Sequence, residues 1–154
     1  LSRISRQEYG LAGAVQHGAS TLPTDLFNKF PELETAEIHL ATDFQNMIYD
    51  HELFPQSLKE EIYAHLRKKF ASEKKETDTD QQFIYKTRKK GFGEFKSRFW
   101  DLSNEIKSEI SKNLENKVEH LFTQLKVENT LEIAEKNINP VKVMPNIEQE
   151  VSAA

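Results

Sequence analysis

Two short segments, YGLAGAVQ over 9–16 and AEIHLA over 36–41, each run straight into a small-residue polar loop, and about twenty residues separate them. Nothing else in the chain limits the fold as much. The first segment is small and apolar and leads into His17-Gly18-Ala19-Ser20-Thr21, which reads as a buried strand followed by a tight turn. The second alternates polar with apolar residues, as a strand with one covered face does, before Thr42-Asp43 start a helical stretch through Tyr49. Between them, Leu22-Pro23-Thr24-Asp25 opens a short amphipathic segment, LFNKF, with Pro23 near the first helical position and Pro31 at its end. Strand, loop, helix, strand is the βαβ unit, and a crossover of that length suits parallel pairing.

After Pro55 the pattern turns helical. Ser57 and Glu60 have capping-box spacing, and Leu58, Ile62, Leu66 and Phe70 recur every four residues, so a helix is expected to end near Ala71. The stretch SEKKETDTDQQ, 72–82, carries no apolar residue and reads as a surface loop. Phe95, Phe99, Leu102, Ile106, Ile110, Leu114, Val118, Leu121 and Leu125 keep helical spacing, which predicts one long amphipathic helix with a break near Trp100. The polar segment 130–154, with Pro140 and Pro145, is expected to be a mobile tail.

The net charge of −4 comes from interspersed acids and bases, so no broad positive field is offered to nucleic acid, and no nucleic-acid partner is expected. With no cysteine, any metal must be held by histidine or carboxylate, and a reducing cytoplasm fits. No apolar run reaches bilayer-spanning length, and LSRISRQEYG lacks the apolar stretch of a secretory signal, so no membrane partner is expected. Leu1 is not an initiator methionine, which suggests a chain that begins inside a longer reading frame.

Strand parity places Ile38 and Leu40 on one face and Glu37, His39 and Ala41 on the other. On the first strand it groups Gly13, Val15 and His17, so His17, at the carboxyl rim, and His39 point into one mouth. Gly18-Ala19-Ser20 and Ala41-Thr42-Asp43 suit anion binding, because small side chains let the backbone approach closely and the Ser20 and Thr42 hydroxyls add donors. Each feature also has an ordinary reading. A histidine at a strand end is commonly a hydrogen-bonded polar residue, and Gly and Ser dominate plain turns. His51, His65 and His120 have no ligand spacing and are expected at the solvated surface. The 95–125 stripe reads as core or as a subunit contact, with a homodimer expected through it.

The segments VQHGASTLP and EIHLATDFQ resemble the seventh- and eighth-strand motifs of the class II, zinc-dependent fructose-bisphosphate and tagatose-bisphosphate aldolases, where HGGSG precedes an Asn-Ile/Val-Asp/Ala-Thr-Asp/Glu motif. The resemblance is tight over about 8–50 and looser over the helices that follow. It implies an α/β fold, the last two strands of a (β/α)8 TIM barrel over 1–54, with a C-terminal helical extension over 55–129. It implies that His17 is a ligand to Zn2+, that Gly18 and Ser20 hold the ketose phosphate with Ala41 and Thr42 as the second half of that site, and that His39 contacts substrate where the family has asparagine. Ala19 replaces the second glycine of the loop, and Ala41, in place of aspartate, is similar to the tagatose-bisphosphate branch.

The activity so implied is that of a cytoplasmic lyase of carbohydrate metabolism that cleaves a phosphorylated ketose such as fructose 1,6-bisphosphate, with zinc polarising the substrate carbonyl. The family's other ligands and its base would precede Leu1, so no catalytic residue is expected here and the isolated chain is expected to be inactive. Two readings of other classes stand beside it: a non-catalytic sugar-phosphate-binding relative, and a helical interaction module that uses the 95–125 stripe.

Overall fold

A computed structural model describes residues 1–141. The chain opens with helix α1 (Ser2–Tyr9), which closes on Gly10 in the left-handed conformation. Ser2 is buried, and its hydroxyl oxygen accepts the Ala14 N–H at 3.1 Å, which ties α1 to the strand that follows. That strand, β1 (Val15–Gln16), leads through two 3-10 turns and the short α2 (Lys29–Glu32) to β2 (Glu37–Ile38). The two strands pair in parallel, with Val15 opposite Glu37 and Gln16 opposite Ile38. The ladder extends at both ends, where Ala36 N–H donates to the Ala14 carbonyl and His39 N–H to the Gln16 carbonyl, each at 2.9 Å.

This overturns the expected α/β class and the last two strands of a (β/α)8 barrel. The fold is mostly helical, and among the described residues its only sheet consists of two short parallel strands. The physical reason lies in the flanks and in the burial. Tyr9 ends a helix instead of starting a strand, and the positive φ values of Gly10 and Gly13 break extension before Ala14. Barrel strands are parallel and covered on both faces, whereas Val15 and Gln16 are exposed.

The rest is helix: α3 (Thr42–Tyr49), α4 (Gln56–Lys69), α5 (Asp80–Thr87), α6 (Gly91–Glu94), α7 (Lys96–Trp100), α8 (Asn104–Leu125) and α9 (Leu131–Asn137). The four-residue spacing on α4 is the inward face, since Leu58, Ile62 and Leu66 are buried with Tyr49, Phe54, Phe83, Ile84 and Ile110 in the main core. Each such aliphatic side chain stabilises the fold by about 1.5–3 kcal/mol relative to leaving it in water. The expected Ser57–Glu60 capping box is absent. Pro55 occupies the N-cap, and Glu60 instead accepts the Gln56 side-chain amide at 3.0 Å. The capping box lies inside the charged 72–82 stretch: Thr79 accepts Gln82 N–H at 3.2 Å and Gln82 returns the bond at 2.9 Å, so the stretch ends by starting α5.

The long 95–125 stripe is divided between α7 and α8, with the break at Asp101–Ser103. There the Ser103 hydroxyl accepts the Ile106 N–H and starts α8. Helix α8 spans two cores. Ile106, Ile110 and Leu114 pack in the main one, while Leu121 and Leu125 join Ala19, Phe27, Ile38 and Leu40 in a second. It thereby fixes the two-stranded unit against the helices. Of the tail expected over 130–154, Leu131–Asn137 form α9, and residues 142–154 lie outside the described residues.

One buried polar residue ties two of these helices together. Arg88 is buried, and its guanidinium donates to both Asp50 carboxylate oxygens at 2.8 and 3.0 Å and to the Asn46 side chain. It lies over the rings of Tyr49 and Tyr85 at 5.7 and 5.2 Å from their centroids. A buried charge is tolerated only when paired and hydrogen-bonded in this way, so Arg88 locks the end of α5 onto α3.

Candidate functional site

Strand parity survives the loss of the barrel. Ile38 and Leu40 pack against the second core while also edging the cleft, and the Glu37 and His39 side chains meet each other. His17 follows β1 and is exposed, after which Gly18 adopts a left-handed conformation (φ 71°) and turns the chain into the Ala19–Thr21 3-10 turn. A residue with a side chain would be strained at that φ. Ala19 is fully buried beside Phe27 and Leu121, so its methyl group fills core space and the turn packs down against α8.

The two loops are joined directly. Ser20 Oγ accepts the Ala41 N–H at 3.3 Å. Thr42 is the first residue of α3, whose opening turn presents N–H groups that have no partner within the helix. Asp43, in the same turn, pairs with Lys117 of α8 at 2.8 Å, which offsets its charge and anchors the helix start. His17, Gly18, Ser20, His39, Ala41 and Thr42, the six residues singled out in the sequence, line one cleft of about 580 Å³, with Glu37 in its wall.

Within the cleft the His17 and His39 rings lie 4.3 Å apart, centroid to centroid, tilted by 31°. His39 Nε2 is 2.5 Å from a Glu37 carboxylate oxygen. Ser20 uses a lone pair on Ala41 and keeps its O–H to donate, whereas the Ala41 amide is engaged by Ser20. The arrangement puts hydroxyl and amide donors at one end and an imidazole–carboxylate pair at the other. An anion that also carries polar groups fits such a cleft.

The donors do not make a zinc site by themselves. A catalytic zinc takes three protein ligands and an open position, and among the described residues no three His, Cys, Asp or Glu side chains converge to hold a metal ion. His17 and His39 are stacked instead of converging on a common point, and His39 Nε2 is taken by Glu37.

Of the other histidines, His51 and His120 line a separate open cleft of about 750 Å³ between the end of α3 and α8. His65 departs from the expected surface position, since it packs edge-on against Phe95 and its Nε2 is buried. Sequence reasoning gave Glu37 no role. Its place two residues before His39 on one strand face was the available signal. Arg88 escaped notice because a single arginine in a basic run carries no mark of burial.

Among the described residues no helix is long and apolar enough to cross a membrane. No protein-family model, curated protein or solved structure matches this chain.

Proposed function

We propose that the chain forms the phosphate-holding wall of a cytoplasmic class II ketose-bisphosphate aldolase-like lyase, which cleaves a sugar bisphosphate such as fructose 1,6-bisphosphate into two triose units. The observation that carries this reading is the meeting of the His17–Ser20 and His39–Thr42 loops in one cleft, linked by the Ser20–Ala41 hydrogen bond. The part played by these residues is to bind and orient. Ser20, Thr42 and the first turn of α3 hold the phosphate, and His39, fixed by Glu37, meets the polar carbons next to it. In this reading His17 is the single zinc ligand that the cleft contributes, and the remaining ligands and the catalytic base come from outside the cleft.

A second reading is a sugar-phosphate-binding protein without turnover, favoured by the commitment of His39 to Glu37 and by the incomplete donor set. Zinc content and lyase activity of the intact protein separate the two. One zinc per active site with aldol cleavage supports the lyase, and binding without either supports the second reading.

Both readings require the cleft to hold phosphate. The double variant Ser20→Ala, Thr42→Ala is expected to weaken dihydroxyacetone phosphate binding about fivefold to 150-fold, the loss of two hydroxyl hydrogen bonds of about 0.5–1.5 kcal/mol each. Titration followed by NMR amide shifts checks this, and unchanged affinity would sink both readings.

A further inference from the structure

Among the described residues that line the cleft, Glu37 alone carries a carboxylate. Its presence is unexpected in a site for a doubly charged anion, because like charges on one wall repel. The sheet fixes its position, since Glu37 pairs with Val15 across the ladder and its side chain lies on the His39 face. One carboxylate oxygen takes His39 Nε2 at 2.5 Å. A carboxylate has about four lone-pair sites, so accepting capacity remains beside that contact.

We propose that Glu37 is a specificity-determining residue, which makes the cleft favour phosphate esters bearing hydroxyl groups beside the phosphate and disfavour bare oxyanions. This rests on the reading of the cleft as a phosphate site and adds the chemistry of the attached group. A bare oxyanion with no proton to donate meets the Glu37 charge and receives nothing in return. A hydroxyl on the neighbouring carbon donates to the carboxylate, a charge-assisted bond that offsets the repulsion. His39 keeps the carboxylate turned along the cleft wall, and its ring contact with His17 holds the imidazole in place.

The test compares two probes on the full chain: sulfate, a dianion without a proton, and dihydroxyacetone phosphate, a dianion with a hydroxyl. Dissociation constants are measured by NMR amide-shift titration for the native protein and for Glu37→Gln, which keeps the shape and an accepting oxygen but loses the charge. Sulfate binding is expected to strengthen about fivefold in the variant, the size of a screened charge repulsion at a solvent-open site. Dihydroxyacetone phosphate binding is expected to change little, because the relieved repulsion and the weakened hydroxyl bond offset each other, so that the preference between the two falls about fivefold. A damaged cleft cannot gain affinity for sulfate, which separates this outcome from misfolding. If the ketose phosphate binds and the preference stays within twofold of the native value, the assignment of Glu37 is overturned while the phosphate site stands. If neither probe binds the native protein, the phosphate reading fails, and the role of Glu37 fails with it.

Discussion

Tyr49→Ala is expected to destabilise the protein by about 3–5 kcal/mol, the range for removing a fully buried aromatic side chain. Tyr49 has no exposed surface. Its ring centroid lies within 5.0–5.7 Å of those of Phe54, Phe92 and Phe99. Deletion therefore opens a cavity where α3, the 54 turn, α6 and α7 meet. The hydroxyl has its own task, donating to the Arg88 carbonyl at 2.9 Å. Burial pushes the phenol up from its ordinary ionisation range, so it remains a donor throughout the pH range in which the protein is handled. Gly91 leaves room for that hydroxyl, since a Cβ there would sit 2.5 Å from it and 2.7 Å from an Ile62 methyl group. Tyr49→Phe keeps the packing and removes one of two donors to the Arg88 carbonyl, which the Gly91 N–H still serves, at a cost of about 0.5–1.5 kcal/mol. Urea unfolding of the three proteins checks the order native, Phe, Ala. If the alanine variant fell within 0.5 kcal/mol of native, the main core would not be organised around this ring.

The sequence carried local periodicity well and tertiary context poorly. Leu58, Ile62 and Leu66 recur on one helical face, and no distant contact was needed to read them. Strand parity was equally local, which is why Ile38 and Leu40 could be assigned to one face and Glu37, His39 and Ala41 to the other, although the barrel in which the apolar pair was expected to face outer helices does not form. Strand length is decided elsewhere. A parallel strand persists only where neighbouring strands and covering helices bury both its faces, and the exposed Val15 and Gln16 have no such cover among the described residues. The two loops meet around one cleft, while the barrel expected to carry them does not form. The caps show the same limit. Ser57–Glu60 and Thr79–Gln82 both satisfy the spacing, and only the second forms, because Pro55 already starts α4 two residues before Ser57. The Glu37–His39 pair was a missed site feature. Its spacing was legible, but a two-residue offset on an exposed face usually means solvated side chains, and only the ring contact with His17 makes it part of a cleft.

The cleft depends on a residue outside it. Gly13 has φ 144°, a conformation that side chains rarely adopt, and a Cβ there would lie 2.7 Å from the Glu34 carbonyl oxygen and 3.2 Å from the Ala36 nitrogen. Those neighbours cannot swing away freely, because the Ala36 N–H is held by the Ala14 carbonyl at 2.9 Å as the first rung of the ladder. Gly13→Ala must therefore push β2 away from β1 at the end where pairing begins. Strained backbone of this kind costs about 1–3 kcal/mol, which is enough to open a sheet of two short strands. The strands carry His17 and His39 at their far ends, so their loops would no longer meet, and dihydroxyacetone phosphate affinity is expected to fall more than about tenfold. The main core shares none of its buried residues with this unit, since the second core of Ala19, Phe27 and Leu121 lies between them. Amide hydrogen exchange distinguishes the two regions without any ligand. The Ala36 and His39 amides are expected to lose protection in Gly13→Ala, while those of Ile62 and Leu66 in α4 keep it. Retained protection at Ala36 and His39 would mean that the strands tolerate a side chain at Gly13, and that the close approach of the two segments is not what holds the cleft together.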